Sequence, residues 1–271
     1  MNTVRKLLLQ IRDEQRAFWR NVPAAVFTVG FTLLFLILFS ALEGNTRIEN
    51  LHNVRFVQYF IPSIITLGLI SSCYTSLAMN IVTRRSNGVL KRIRGTPLPT
   101  WVYFGGLVGS SLITSLLLSG LTIAFGEVFY SVGLPGHWVL FVLAIVVGAI
   151  TFSLFGVAVS CLVPNPEAAP AIINLIILPL YFISGTFYPI AAGSTLAHVA
   201  NVFPVRPFIL SVLYAYDPGG VFASGSDWHG VLVLCGWSLG SLVFAMRRFT
   251  WMPNANQMRK RGKRASLETI P

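Results

Sequence analysis

Apolar and polar positions along this chain fall into long blocks and do not alternate residue by residue. Runs free of Asp, Glu, Lys and Arg cover about residues 24–42, 57–82, 101–126, 138–163, 168–188 and 228–246. A helix rises about 1.5 Å per residue and a bilayer core is about 30 Å thick, so each run is long enough to cross. In hydrocarbon the backbone must satisfy its own hydrogen bonds, which leaves only helices or closed barrels. Barrel strands alternate apolar and polar, whereas these runs are continuously apolar. The pattern predicts an all-α integral membrane protein with six transmembrane helices.

Two weaker patterns add elements outside the spans. Val4, Leu7, Leu8, Ile11, Phe18 and Trp19 recur at helical spacing, with Arg5, Arg12, Asp13 and Arg16 on the other side. That reads as an N-terminal amphipathic helix lying in the inner interface. Between the fifth and sixth runs, residues 189–227 are apolar in patches but cut by prolines and glycines, and Pro207–Tyr216 is too short to span. A re-entrant or interfacial helix is expected there. The chain divides into one transmembrane domain, residues 1–250, and a basic cytoplasmic tail, residues 251–271.

Composition agrees with the pattern. The 271 residues are 54% hydrophobic and 11% charged, with mean hydropathy +0.70, whereas soluble domains carry about 25% charged residues. The net charge of +11 is explained by topology. With both termini inside, the cytoplasmic segments (1–23, 83–100, 164–167 and 247–271) hold five, five, none and seven of the 20 Lys and Arg residues. Only Arg47, Arg55 and Arg206 remain outside, which satisfies the positive-inside bias. Arg259-Lys-Arg-Gly-Lys-Arg264 is juxtamembrane, so contact with anionic lipid is expected there and nucleic acid is not. The first apolar run starts only after Asp13, Glu14 and five basic residues, so no cleavable signal peptide is expected.

Chemistry-bearing residues are sparse. Cys73, Cys161 and Cys235 lie in or at the ends of spans without a paired spacing, which suits small apolar packing and not a disulfide or metal. His137, His198 and His229 flank spans without ligand spacing. Glu127 is at the outer end of the third span, and no acid occupies a span centre, which disfavours a proton relay. There is no nucleophile elbow and no Gly-x-x-x-x-Gly-Lys-Ser/Thr phosphate loop. The chain is therefore expected not to be an enzyme and to bind no cofactor itself.

The most informative polar stretch is Thr83–Thr100. It is basic, lies between two spans, and holds a Gly88-Val-Leu-Lys-Arg-Ile-Arg94 core able to form a short helix that docks on a partner. Further along come Ile183-Ser-Gly-Thr-Phe-Tyr-Pro-Ile190 and Asn201-Val-Phe-Pro-Val-Arg-Pro-Phe208. In order and spacing, with the amphipathic entry helix, these segments resemble a permease subunit of the type-2 ABC transporter family. The residues Gly88 to Leu98 are similar to its coupling segment, 184–189 to the "SG-x-x-x-P" ending of its fifth span, and 201–208 to its re-entrant segment. One departure stands out: Arg85-Ser86-Asn87 occupies the place where the family often has a Glu before the coupling glycine.

The resemblance implies an ATP-driven exporter in a bacterial cell membrane. It would comprise an ABC ATPase subunit carrying ATP and Mg, this permease, and a second copy or a paralogue. Gly88, Val89, Leu90, Arg92, Ile93, Arg94, Pro97 and Leu98 would form the ATPase-coupling surface. The second and fifth spans would line a pathway through Ser72, Thr75, Met79, Asn174, Leu178, Tyr181 and Phe182. A polar side chain is costly against lipid, so these faces should meet protein or a cavity, either as pathway or as ordinary helix-to-helix bonding. Gly105-x-x-x-Gly109 and Gly236-x-x-x-Gly240 are expected to serve close helix packing. With no basic ring in the spans, the expected substrate is a hydrophobic drug, an antibiotic or a lipid. The alternatives are a polysaccharide or lipid-linked glycan of the same family's exporters, or a channel or scaffold without ATP.

Overall fold

In the computed structural model, residues 3–43, 46–48, 54–96, 98–190, 193–217 and 228–252 are described. The helices are α1 (Thr3–Arg20), α2 (Val22–Glu43), α3 (Phe56–Ile70), α4 (Leu77–Ser86), α5 (Val89–Arg94), α6 (Thr100–Tyr130), α7 (Trp138–Ser160), α8 (Ala169–Ser184), α9 (Thr195–Ala200), α10 (Val205–Tyr216) and α11 (Trp228–Arg248). A two-residue antiparallel ladder joins β1 (Arg47–Ile48) to β2 (Val54–Arg55) ahead of α3. The chain is a helical membrane bundle. Four helices, Phe56–Ser86, Thr100–Tyr130, Trp138–Ser160 and His229–Arg248, are long and apolar enough to cross a membrane. The expected first and fifth spans correspond to shorter apolar helices, Thr28–Leu42 within α2 and Ala169–Ser184.

The second span is the axis of the bundle. α3 runs through a π-helical turn, Ser71–Ser76, straight into α4, and this continuous helix is the most enclosed of the four while α11 is the least. A π turn widens the helix locally and turns its neighbouring side chains outward. Here those side chains tie three helices together. The Ser72 hydroxyl donates to the Ser111 carbonyl of α6 at 3.4 Å, and Cys73 Sγ lies 3.2 Å from Ser115 Oγ. The Tyr74 phenol donates to the Ile173 carbonyl of α8 at 3.0 Å, and its ring stacks on Phe155 of α7 at 5.0 Å. Buried polar groups need such partners, and in a bundle that offers no water they hold helices in register.

α10 departs from the rest. Nine of its twelve residues are buried, among them Val205, Phe208, Val212 and Ala215. It packs on α3, α7, α8 and α11, with Phe208 edge-on to Phe152 at 5.5 Å. α1 is amphipathic as the pattern requires, but its packed stripe is Leu7, Gln10, Ile11 and Glu14, while Val4, Leu8 and Trp19 face outward. It runs alongside α6, with Leu7 at Gly105, Ile11 at Gly109, and Gln15 bonded to Ser110 and Thr114. The first small-xxx-small pair therefore seats α1. At Gly236 and Gly240, by contrast, an added Cβ would meet nothing within 4 Å in this chain. The basic tail from residue 253 lies outside the described residues.

Candidate functional site

The polar loop after the second span folds as a turn and a one-and-a-half-turn helix. Gly88 adopts φ +73°, a left-handed conformation that residues with a Cβ avoid, and this ends α4 and redirects the chain into α5. The Asn87 amide donates to the Thr83 carbonyl at 3.0 Å and the Gly88 amide to the Arg85 carbonyl at 3.1 Å, closing the turn. Leu90 then points inward. It is fully buried in a cluster with Leu77, Ile81, Tyr103 and Leu107, against which Ile93 and Leu98 also pack. Leu90 thus belongs to the chain's own core and is not on the outward surface of α5, which is formed by Lys91, Arg92 and Arg94 with Val89 and Ile93 half-buried at its edges. Pro97 lies outside the described residues. Phe249 and Trp251, just past α11, cover the same cluster, with Trp251 6.0 Å from the Phe104 ring.

Behind α5 stands a charged brace that hydrophobic patterning did not pick out. Arg84 makes a forked contact with Glu14 of α1, Nη1 donating to Oε1 at 2.7 Å and Nη2 to Oε2 at 2.6 Å. Gln10 donates to the same carboxylate at 2.8 Å, and Arg84 reaches the Tyr103 hydroxyl at 3.4 Å. Two parallel charge-assisted bonds fix orientation as well as distance. The neighbouring Arg85 is buried and donates to the Val163 carbonyl at the end of α7. Where a Glu is expected before the coupling glycine, this chain carries arginines, and an acid comes to them from the entry helix instead. The signal was present in the sequence: Glu14 continues the Leu7, Ile11, Phe18 stripe, an acid on the packed face of an amphipathic helix.

The residues expected to line a pathway separate into three environments. Ser72 opens onto a small pocket of about 50 Å³ between α1, the second span and α6, lined also by Glu14, Ser76, Asn80, Ser110 and Thr114. Thr75 and Met79 are half-buried and do not line that pocket, and Met79 packs against the main core. On α8, Asn174, Leu178 and Phe182 form one exposed face with Leu175, whereas Tyr181 is buried. Phe182 is 70% exposed and Tyr181 8%, so the two adjacent aromatics cannot share a role.

At the far end, the Ser-Gly-x-x-x-Pro segment and the re-entrant segment are bonded to each other. Gly185 has φ +87° and terminates α8. The Tyr59 phenol of α3 donates to the Gly185 carbonyl. Arg206 donates through Nε to Asn201 Oδ1 at 2.9 Å and through Nη1 to the Ser184 carbonyl at 3.3 Å. Ser184 and Thr186 share a 2.6 Å hydroxyl bond beneath it. Burial pulls the Arg206 guanidinium below its ordinary pKa, with Tyr59 acting in the opposite direction. Sequence counting placed Arg206 only as one of three outside cations, but its role here is to lock two loops. Among the described residues, no group of three or more His, Cys, Asp or Glu side chains could hold a metal ion.

Comparison with known proteins covers most of this framework. The ABC-2 type transporter family profile matches residues 5–216, from the entry helix to the end of α10. The chain is similar to the inner membrane transport permease YadH of Escherichia coli K12, 24% identical over 155 residues, which is 57% of this chain and 60% of that protein. It is also similar to the probable multidrug ABC transporter permease YbhR of the same organism, 23% identical over 72% of this chain and 54% of that one. The putative transport permease YvfS of Bacillus subtilis 168 is 24% identical over 236 residues, 83% of this chain and 90% of its own length. The match thus spans less than two thirds of the two Escherichia coli relatives.

Proposed function

Because the chain belongs to the ABC-2 type transporter family, we propose that it is the membrane subunit of an ATP-driven exporter, worked from one end by a separate ATPase. The observation that carries this reading is the construction of the α5 end. α5 presents Lys91, Arg92 and Arg94 outward, while Leu90 anchors it to the second span and Arg84 ties that span to α1. A push on such a basic knob passes into the axial helix without being absorbed by a soft loop. The chain holds no phosphate loop, so ATP and Mg belong to the partner, which needs an acidic groove to receive α5.

In this reading both termini and α5 are cytoplasmic, in a bacterial inner membrane, and the Arg206 lock is at the outer end. Two copies, or a copy and a paralogue, face each other across the exposed α8 stripe Asn174, Leu178 and Phe182. That apolar and aromatic stripe suits a hydrophobic drug, an antibiotic or a lipid-like molecule better than an anionic polymer. The relative YbhR, named a probable multidrug permease, supports the same class.

The test uses the chain co-expressed with a candidate ABC ATPase subunit from the same genome. Arg92→Glu with Arg94→Glu is expected to abolish co-purification of the ATPase and cellular export of a hydrophobic dye, while the permease itself still accumulates. Unchanged co-purification together with unchanged export would sink the proposal.

A further inference from the structure

A groove of about 420 Å³ runs between α1, α2 and α6, walled by Trp19, Ala25, Val29, Gly30, Leu117 and Leu121. Among its described lining residues, the polar side-chain groups are the Thr114 hydroxyl, engaged with Gln15 and the Ser110 carbonyl, and the Trp19 indole, engaged with Gln15. The walls therefore offer no hydrogen bond to an occupant and ask for hydrocarbon. The α1 side of the groove has a different character. There α1 finishes with Trp19, whose indole donates to Gln15 at 3.0 Å. The exposed cations Arg16 and Arg20 flank Trp19, and no acid pairs with either among the described residues. An apolar slot capped by an amphipathic ring and two cations is complementary to one kind of molecule: an acyl chain ending in a negative headgroup.

We infer that this groove is a binding site for one anionic phospholipid, with an acyl chain along α2 and α6 and its phosphate at Arg16 and Arg20. The lipid fills the gap between the entry helix and the first span and fixes the angle at which α1 leaves the membrane surface. The site depends only on membrane insertion and is separate from the α5 surface, so it can stand or fall without the ATPase reading.

Gly30 gives the decisive variant, since an added Cβ there meets nothing within 4 Å and a larger side chain grows into the groove. The full chain, reconstituted in equal phosphatidylglycerol and phosphatidylcholine and then extracted, is read by native mass spectrometry. Retention of one phosphatidylglycerol per chain is expected. Gly30→Trp is expected to lose it, and Gly240→Trp, the same bulk on the open face of α11, is expected to keep it. Arg16→Gln and Arg20→Gln should each weaken phosphatidylglycerol retention about fivefold and leave phosphatidylcholine unchanged. Equal retention of the two lipids by the unaltered chain overturns the inference, as does undiminished phosphatidylglycerol in Gly30→Trp. Conversion of a dimer to monomer by Gly30→Trp would also overturn it, by assigning the groove to a second copy.

Discussion

At the scale of single residues, the forked pair between Glu14 and Arg84 is the contact whose loss should be felt most. Glu14 is 7% and Arg84 19% exposed at the side chain, so removing one partner strands a charge with little water to take it. Glu14→Met or Arg84→Met should each cost about 2–3 kcal/mol, discounted for the exposed fraction of the arginine. The double variant Glu14→Met/Arg84→Met should cost clearly less than the two singles combined, because no orphaned charge remains. Thermal unfolding of the four proteins in one detergent measures this, and strictly additive losses would rule the coupling out. Patterning could not reveal the pair, since Arg84 read as one more cation in a topogenic loop. Its partner comes from 70 positions away, a distance that only the packing of α1 against the end of the second span closes.

At the scale of elements, the sequence was most legible where apolarity alone decides. The long runs became α6, α7, α11 and the Phe56–Ser86 helix, with ends displaced by a few residues. α6 begins and ends outside its expected bounds because apolarity marks the hydrocarbon, while helical hydrogen bonding continues beyond it. The π turn at Ser71–Ser76 had no such signal, since widening a helix changes no residue's hydropathy. It is set by what packs against it. Gly156 of α7 lies so close that an added Cβ would stand 2.8 Å from the Tyr74 carbonyl oxygen and 3.1 Å from its Cα. Backbone atoms cannot rotate aside, so Gly156→Ala should force α7 away and lower stability by about 1–3 kcal/mol. Gly240→Ala, where the new methyl meets no atom within 4 Å, is the matched control and should not lower the melting temperature, since Ala is the better helix former.

At the scale of the whole molecule, the three environments of the expected pathway residues bear on the proposed pairing of two copies. Of the residues expected to line a pathway, only the α8 stripe is outward and largely apolar, with Leu178 48% and Phe182 70% exposed. With two copies facing across it, Leu178→Cys in a Cys235→Ser background should form an oxidant-dependent cross-linked dimer on a gel. Leu239→Cys on α11, itself 63% exposed, should not. Family membership was readable from the order of short motifs, because each marks a place where the backbone must turn or end: Gly88, Gly185 and Pro204. Which faces look inward was not readable, because Ser72 and Tyr181 carry the same residue-level signals whether they bond a neighbouring helix or line a channel.

The seating of α1 also bears on how the chain is made. This helix is synthesised well before its partners: Arg84 lies 70 positions on and Ser110 95. At synthesis rates of about 5–20 residues per second, α1 must wait on the order of 4–20 s with its glutamate uncompensated before the surface it binds exists. Its exposed Val4, Leu8 and Trp19 give it a means to wait on the bilayer, and docking then closes the bundle as a late step. The order of translation thus makes a helix synthesised ahead of its partners one of the last to reach its place.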